Sequence, residues 1–366
     1  MHLSQITPSI FASLGLASAS DELSIGESPM GRELLFLIDG FGLDILDKYG
    51  DFMPTIVKLK RYGVVQTSFP TTTATSLATL TTGELPGVHG MLGYTVQVPR
   101  SGGRILNALK WDERVDPEKW QPVPTLFERA SAQGIQVSHV AAKRYEKTGF
   151  TRAVFRGARY LGANVTDALV SQTKAALAAT PSFVYLYVND LDNAGHNDGV
   201  GSEKWLSALS AIDNALSQLM REVPKGTRIW VTSDHGMINV EKKIIIGQEN
   251  HLMDGVAVIA GEPRARHIYL VSSEISARKE VASLWEEYLG QDAQVLTRED
   301  AITQDLFGKS VSEDAKERMG DVIAIAQAGL VLIDPARVDK ESAMIGHHGA
   351  NSQIESQVPL LTTTLN

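Results

Sequence analysis

Short apolar runs recur along this chain of 366 residues, and each is followed by polar side chains able to bind a metal or act as a nucleophile. The runs are residues 33–38 before Asp39, 64–69 before a threonine cluster that includes Thr73, 183–188 before Asp192, and 228–232 before Asp234. Runs of this kind are typical of strands buried on both faces of a parallel sheet. Because ligands in open α/β sheets bind outside the carboxyl ends of the strands, separate parts of the sequence are predicted to converge at one edge.

Segments with helical spacing of apolar residues lie between these runs. Helices are predicted at residues 125–133, 165–179, 203–222 and 275–288, and one more strand at 135–140. Alternation of strand and helix predicts an α/β fold with a mostly parallel central sheet and helices on both of its faces.

The predicted domain organisation is an arm followed by one catalytic domain. Residues 1–30, rich in serine and glycine, are interpreted as an irregular N-terminal arm with a short helix. Residues 31–366 form the predicted catalytic domain, with small insertions near 94–160 and 261–328, where strand and helix alternate less regularly.

The composition excludes several classes of protein and site. The formal net charge is -9, and no basic stripe suggests a nucleic-acid surface. The chain has no cysteine, which excludes disulfides, thiolate metal sites and a cysteine nucleophile. We find no signal peptide and no apolar stretch long enough to span a bilayer, so a cytoplasmic protein without a membrane partner is expected. An anionic substrate would have to be attracted locally, for example by metal cations.

Three clusters contain four of the nine histidines in the chain. They are Asp192 with His196, Asp234 with His235, and the pair His347–His348 in a glycine-flanked loop. Carboxylate and neutral imidazole are the ligands that Zn²⁺ takes where thiolates are lacking. Taken singly, each cluster also fits a purely structural interpretation: a helix cap with a surface histidine, a turn, or a surface loop. The position after a buried strand favours a metal site for Asp234 with His235. The concentration of histidines in these three clusters favours metal sites over the structural alternatives for the others.

The threonine cluster that follows Pro70 contains the candidate nucleophile. A hydroxyl at the start of a helix meets the positive end of the macrodipole, which favours an alkoxide or a phosphate beside it. Metal coordination is one way to activate such a weakly acidic group. A threonine at a helix start is more often only a cap. The residue pattern by itself does not separate Thr71, Thr72 and Thr73.

In order and character, these motifs resemble the alkaline phosphatase superfamily, and within it the nucleotide pyrophosphatase/phosphodiesterase branch. The matching segments are residues 35–40, 69–73, 82–90, 192–196, 234–236, 348–349 and 358–361. The resemblance covers roughly residues 31–361, and it implies an alkaline phosphatase-like three-layer sandwich.

The resemblance also implies two divalent metal ions. The expected metal is Zn²⁺, and Mn²⁺ is the alternative. One ion would be held by Asp192, His196 and His348. The other would be held by Asp39, Asp234 and His235, with Thr73 completing that site as the attacking alkoxide. Hydrolysis of a phosphodiester or phosphoanhydride in a small phosphate ester or nucleotide would then pass through a phosphothreonine. Two divalent cations would balance the three carboxylates and the alkoxide.

One departure concerns the phosphate contact. The resemblance implies an Asn three residues after the nucleophile, and this chain has Ser76 there, so Ser76 is the predicted substrate-binding residue. The runner-up function is carbon–phosphorus cleavage of the phosphonoacetate hydrolase type, with Lys110 and Lys143 as candidate carboxylate ligands. Lysines are mostly exposed, so a solvated surface position is the more common interpretation of each. A phosphomonoesterase of the same superfamily is a further alternative, and a non-catalytic protein that kept the fold is another. The sequence does not indicate the oligomeric state.

Overall fold

A computed structural model describes residues 1–272 and 274–366. In chain order the strands are β1 (Arg32–Ile38), β2 (Lys60–Gln66), β3 (Thr95–Gln97), β4 (Ile105–Asn107), β5 (Gln136–Ala141), β6 (Arg159–Gly162), β7 (Ser182–Val188), β8 (Arg228–Thr232), β9 (Ile238–Asn239), β10 (Lys242–Ile245), β11 (Val256–Glu262), β12 (Ala265–Leu270), β13 (Ala293–Thr297), β14 (Val322–Ala326), β15 (Leu330–Ile333), β16 (Gly346–His347) and β17 (Gln357–Thr364).

Helices connect most of these strands. They are α1 (Ile6–Ser13), α2 (Asp44–Lys48), α3 (Thr73–Thr82), α4 (Pro86–His89), α5 (Pro117–Trp120), α6 (Leu126–Ala132), α7 (Gly149–Val154), α8 (Thr166–Ala176), α9 (Asp190–Asp198), α10 (Glu203–Glu222), α11 (Ile275–Leu289), α12 (Arg298–Thr303), α13 (Glu313–Arg318), α14 (Val338–Ala343) and α15 (Gln353–Ser356). In the described part of the chain, no helix combines the length and the apolar character needed to cross a membrane.

The central sheet has the strand order β2-β17-β8-β1-β7-β5-β6. Strand β1 pairs in parallel with β7 and β8, and β5 pairs in parallel with β6 and β7. Only β17 runs against its neighbours β2 and β8 in this sheet. The predicted α/β fold with a mostly parallel sheet is therefore confirmed. Because β17 is antiparallel, its first residue lies at the edge where the parallel strands end.

Side chains of the central strands alternate between two apolar cores. In β1, Leu35 and Leu37 belong to one core, with side chains of α1, α3 and α6. Leu34, Phe36 and Ile38 belong to the other, with side chains of α8 and α10. Helices thus cover both faces of the sheet. Because the side chains on both faces of β1 are buried, its sequence is an unbroken apolar run.

The N-terminal segment packs into the structure more closely than an irregular arm would. Helix α1 buries Ile6, Ile10 and Phe11 in the first core, and the Phe11 ring lies 4.7 Å from that of Phe183 between centroids. Burial of these side chains removes apolar area from water and fixes the segment on the sheet. The short helix expected in residues 1–30 is α1, and the domain boundary stays a prediction.

The two expected insertions have different structures. Within residues 94–160, β5 and the start of β6 belong to the central sheet, in agreement with the strand predicted at 135–140. The segment before β5 is irregular and contains the β3–β4 hairpin and short helices, and its description as an insertion stays a prediction. The stretch near 261–328 contributes to a separate four-stranded sheet with the order β11-β12-β14-β13.

Candidate metal centre

The first group of candidate metal ligands follows two neighbouring strands of the central sheet. Asp39 follows β1, and Asp234 and His235 follow β8, so all three lie at the same edge of the sheet. One ligand atom from each lies within 4.8 Å of the others, and all three residues are buried. The Nε2 atom of His235 is 3.3 Å from Asp39 Oδ1 and 3.5 Å from Asp234 Oδ2.

The second group joins helix α9 to the loop after β16. Asp192 and His196 are one helical turn apart in α9, as their four-residue spacing predicts, and His348 approaches from the loop. Their ligand atoms also lie within 4.8 Å of one another. The rings of His235 and His348 stack with centroids 3.7 Å apart, so the two groups are adjacent.

Hydrogen bonds to the main chain hold the three histidines in one orientation. In each of them Nδ1 donates to a carbonyl oxygen: His196 to Gly346 (2.8 Å), His235 to Gly236 (3.0 Å) and His348 to Thr71 (2.7 Å). A proton fixed on Nδ1 leaves the Nε2 lone pair free to bind a cation. Burial lowers the pKa of His348 well below its usual value, which keeps this ring neutral.

The carboxylates of both groups have oxygens whose hydrogen-bonding capacity is unused. Asp39 Oδ1, Asp192 Oδ1 and Asp234 Oδ2 are buried and have no hydrogen-bond partner among the described residues. Buried polar atoms without partners are rare in native proteins, and a bound cation satisfies such oxygens. Burial raises the pKa of Asp39 well above its usual range, and the neighbouring carboxylates of Asp234 and Asp192 raise it further. This donor set therefore fits two divalent cations, one in each group.

The structure distinguishes among the three threonines that the sequence left open. Thr73 is the first residue of α3, and its Oγ1 lies 3.2 Å from His235 Nε2 and 3.5 Å from Asp39 Oδ2. The Thr71 hydroxyl instead donates to the carbonyl of Ala350, and Thr72 is the N-cap but makes no side-chain capping bond. Of the three, Thr73 is the one whose hydroxyl contacts a ligand group.

Ser76 does not occupy the position that the resemblance implied. Its side chain is fully buried, it does not border the cavity beside Thr73, and its Oγ has no hydrogen-bond partner within the described residues. The physical reason is that α3 enters the core directly after its first residue, so that residues 74–82 are all buried. In this geometry Ser76 does not border the cavity beside Thr73, so the structure gives no support to the prediction that Ser76 binds substrate.

A cavity of about 520 Å³ borders Thr73 and both ligand groups. Its wall includes residues that the sequence analysis missed, among them Tyr94, Tyr187, Glu262, Arg337 and Lys340. The Tyr187 hydroxyl donates to Asp39 Oδ2 and so positions that ligand. Tyr94, Arg337 and Lys340 come from loops and from α14, where no strand-end pattern marks them, whereas Glu262 ends β11 in the second sheet.

The lysines proposed for the runner-up function lie elsewhere. Lys110 and Lys143 are exposed and do not border the cavity. Lys340 does border it, and its Nζ lies 3.3 Å from the hydroxyl of Tyr94. Lys110 and Lys143 are thus surface lysines in this structure, although Leu109 and Tyr145, which lie close to them in the sequence, do border the cavity.

A family model described as type I phosphodiesterase / nucleotide pyrophosphatase matches residues 34–351. The chain belongs to this family. The match encloses every residue of both ligand groups and Thr73. Membership also confirms the resemblance to the alkaline phosphatase superfamily that the motif order had indicated.

Curated relatives carry names of the same kind. Ectonucleotide pyrophosphatase/phosphodiesterase family member 3 of Mus musculus is 28% identical over 225 residues, which are 56% of this chain and 24% of the relative. Family member 1 of Homo sapiens is 26% identical over 261 residues, 66% of this chain and 28% of the relative. The chain thus spans about a quarter of the length of these relatives.

Solved structures share the fold at low sequence identity. Murine ectonucleotide pyrophosphatase / phosphodiesterase 5 aligns with a TM-score of 0.71 and 18% identity, covering 90% of this chain and 87% of that one. Phosphonoacetate hydrolase from Sinorhizobium meliloti 1021, in complex with phosphonoformate, aligns with a TM-score of 0.70 and 18% identity, covering 92% and 90%. Both comparisons support the alkaline phosphatase-like architecture.

Proposed function

We propose that this protein is a metal-dependent hydrolase of phosphodiester or phosphoanhydride bonds in small molecules, with Thr73 as its nucleophile. The observation that carries the proposal is the position of Thr73 Oγ1, within 3.5 Å of side-chain atoms of both Asp39 and His235. A hydroxyl among ligands of a divalent cation is where an attacking alkoxide can form.

The two ligand groups would hold the metal ions. The expected metal is Zn²⁺, and Mn²⁺ is the alternative. A divalent cation in such a site lowers the pKa of a bound oxygen and neutralises the charge that develops on phosphate. Asp39, Asp234 and His235 would hold the ion nearer Thr73, and Asp192, His196 and His348 the other. Orphaned carboxylate oxygens in both groups support this assignment.

The proposed reaction has two covalent steps. Thr73 Oγ1 would form a bond to phosphorus while the bond to the ester oxygen breaks, and the alcohol or phosphate of the leaving group departs with a proton. Water would then cleave the phosphothreonine, releasing the phosphoryl group and restoring the hydroxyl. Because α3 begins at Thr73, its N-terminal dipole favours negative charge at this position.

The size of the cavity supports a small-molecule substrate. Its volume of about 520 Å³ lies within the range that is common for small-molecule sites. Relatives of this chain are named nucleotide pyrophosphatases, and an inactive variant of one structural neighbour was solved in complex with AMP. These names support nucleotides and related esters as the first substrates to test.

The decisive experiment measures p-nitrophenol release from bis-p-nitrophenyl phosphate by protein loaded with Zn²⁺ or Mn²⁺. We expect Thr73→Ala to lower kcat by at least about a thousandfold, because it removes the nucleophile. Thr303→Ala, at an exposed position, is the matched control and should retain wild-type turnover. Equal kcat values for the Thr73→Ala variant and the wild type would refute the assignment.

A substrate panel separates the proposed function from its alternatives. Turnover of p-nitrophenyl phosphate without turnover of the diester would indicate a phosphomonoesterase. Release of acetate and phosphate from phosphonoacetate would indicate carbon–phosphorus cleavage. No turnover of any substrate by protein with two bound ions would favour the non-catalytic alternative.

A further inference from the structure

Glu262 is a buried carboxylate that the proposed mechanism does not use. It is the last residue of β11, in the second sheet, and only 3% of it is exposed. It borders the same cavity as Thr73 but belongs to neither ligand group. Burial of a carboxylate is unfavourable unless hydrogen bonds or an opposite charge compensate for the lost water. The partners of Glu262 therefore need to be identified.

One oxygen of Glu262 has a structural partner. Oε1 accepts a hydrogen bond from the main-chain N–H of Tyr94. Two glycines allow this close approach: a Cβ on Gly93 would lie 3.3 Å from both carboxyl oxygens, and one on Gly349 would lie 3.0 Å from Glu262 Cβ. Glu262 therefore joins the loop that carries Tyr94 to the loop that carries His348.

The other oxygen has no such partner. Oε2 is buried and accepts no hydrogen bond from the described residues. Burial raises the pKa of the Glu262 carboxyl to about 7, against the lowering effects of the Tyr94 main-chain N–H and of the nearby Thr72 side chain. An unsatisfied buried acceptor beside a cavity is a place where a ligand can supply the missing donor.

The positive charges near Glu262 favour a neutral hydrogen-bond donor on the ligand. Arg337 and Lys340 border the same cavity, and Lys340 lies over the Tyr94 ring, with its Nζ 5.5 Å from the ring centroid. These cations would repel an ammonium group brought to the carboxylate. A neutral hydroxyl donates a hydrogen bond without that repulsion.

We propose that Glu262 Oε2 is a specificity-determining atom that accepts a hydrogen bond from a hydroxyl on a group esterified to the phosphate. The preferred substrates are then phosphate esters of polyols, such as glycerol or a sugar, over simple alkyl esters. This inference rests on the proposed function, and it adds a substrate class to it.

The test compares two diesters with the same charge and leaving group, glyceryl p-nitrophenyl phosphate and ethyl p-nitrophenyl phosphate. Wild-type protein should show a kcat/KM at least about tenfold higher for the glyceryl ester, which corresponds to about 1.4 kcal/mol. In Glu262→Gln the amide oxygen can still accept from Tyr94, so the NH₂ group faces the substrate hydroxyl and can only donate to its oxygen. A neutral bond of about half the strength then replaces the charge-assisted one, and the selectivity ratio of this variant should fall to about threefold or less.

Glu286→Gln, at an exposed position of α11, is the matched control and should keep the wild-type ratio. Equal kcat/KM values of the wild type for the two esters would overturn the inference. A Glu262→Gln variant that slows both esters by the same factor would also overturn it, because Glu262 would then act only through the position of Tyr94.

A binding experiment keeps the inference separate from the proposed function. Glycerol 1-phosphate and ethyl phosphate are titrated calorimetrically into metal-loaded Thr73→Ala protein, with and without Glu262→Gln. A tenfold preference for glycerol 1-phosphate that depends on Glu262 supports the inference even if the wild type hydrolyses neither diester. Equal affinities for the two phosphates would refute it even if hydrolysis is observed.

Discussion

Replacement of Arg264 by methionine should destabilise the protein strongly, because Arg264 forms a fully buried ion pair with Glu355. Both side chains are 0% exposed, and the contact is bidentate, with Nε–Oε1 at 2.7 Å and Nη2–Oε2 at 2.8 Å. The variant leaves the Glu355 carboxylate buried without its cation, which typically costs about 3–5 kcal/mol.

The remaining partners of Glu355 place the expected cost near the lower end of that range. Oε1 still accepts the N–H of Ala350 at 3.0 Å, and Oε2 still accepts the hydroxyl of Ser352 at 2.6 Å. These donors keep part of the negative charge compensated. We therefore expect a loss of about 3 kcal/mol in the free energy of unfolding.

Urea unfolding of metal-free protein, followed by circular dichroism, measures this loss as a lower midpoint at an unchanged m-value. Lys204→Met is the matched control, because Lys204 pairs with Asp198 at the surface, where its side chain is 77% exposed, and such pairs contribute about 0–1 kcal/mol. A cost of the Arg264 substitution no larger than that of the control would refute the reasoning.

Three further predictions concern the metal centre and Glu262. Asp192→Ala removes a ligand from one group only, so metal analysis of purified protein should find about one ion per chain in place of two; two retained ions would contradict the assignment. Tyr187→Phe removes the hydrogen bond to Asp39 and should weaken binding of one ion about 10- to 100-fold by calorimetric titration. Tyr185→Phe, on the same strand, should bind as the wild type does, because its buried hydroxyl has no partner among the described residues. The pKa of Glu262 is raised from 4.5 to about 7, so the stability it contributes is full below pH 4.5 and is lost as the pH rises through 7. Metal-free wild type should therefore lose up to about 3 kcal/mol more than Glu262→Gln over this interval, and parallel pH profiles in urea unfolding would contradict the prediction.

Most of the candidate metal-binding side chains could be predicted because they are tied to a local feature of the sequence. Asp39 and Asp234 directly follow apolar runs, and the geometry of a parallel sheet brings the ends of such runs together. No comparable apolar run precedes His348. This residue was therefore identified through the family resemblance, from its place in the order of motifs. Its approach becomes understandable once β17 is seen to run antiparallel, which brings the loop before it to the same edge.

Other features of the site depend on tertiary contacts that have no local signature. Glu262 and Tyr94 meet because the second sheet packs against the loop after α4, and the sequence separation of 168 residues leaves no periodic signal. Ser76 was misplaced for the opposite reason: its spacing from Thr73 is local, but the burial of α3 decides where its side chain lies.

The placement of β17 also constrains when the site can form during synthesis. This strand lies between β2 and β8, so the two sides of the sheet are joined only after residues 357–364 have left the ribosome. His348 emerges shortly before them, more than 300 residues after Asp39. A nascent chain therefore carries an incomplete second ligand group and an unpaired β8 edge until residues 357–364 have been made.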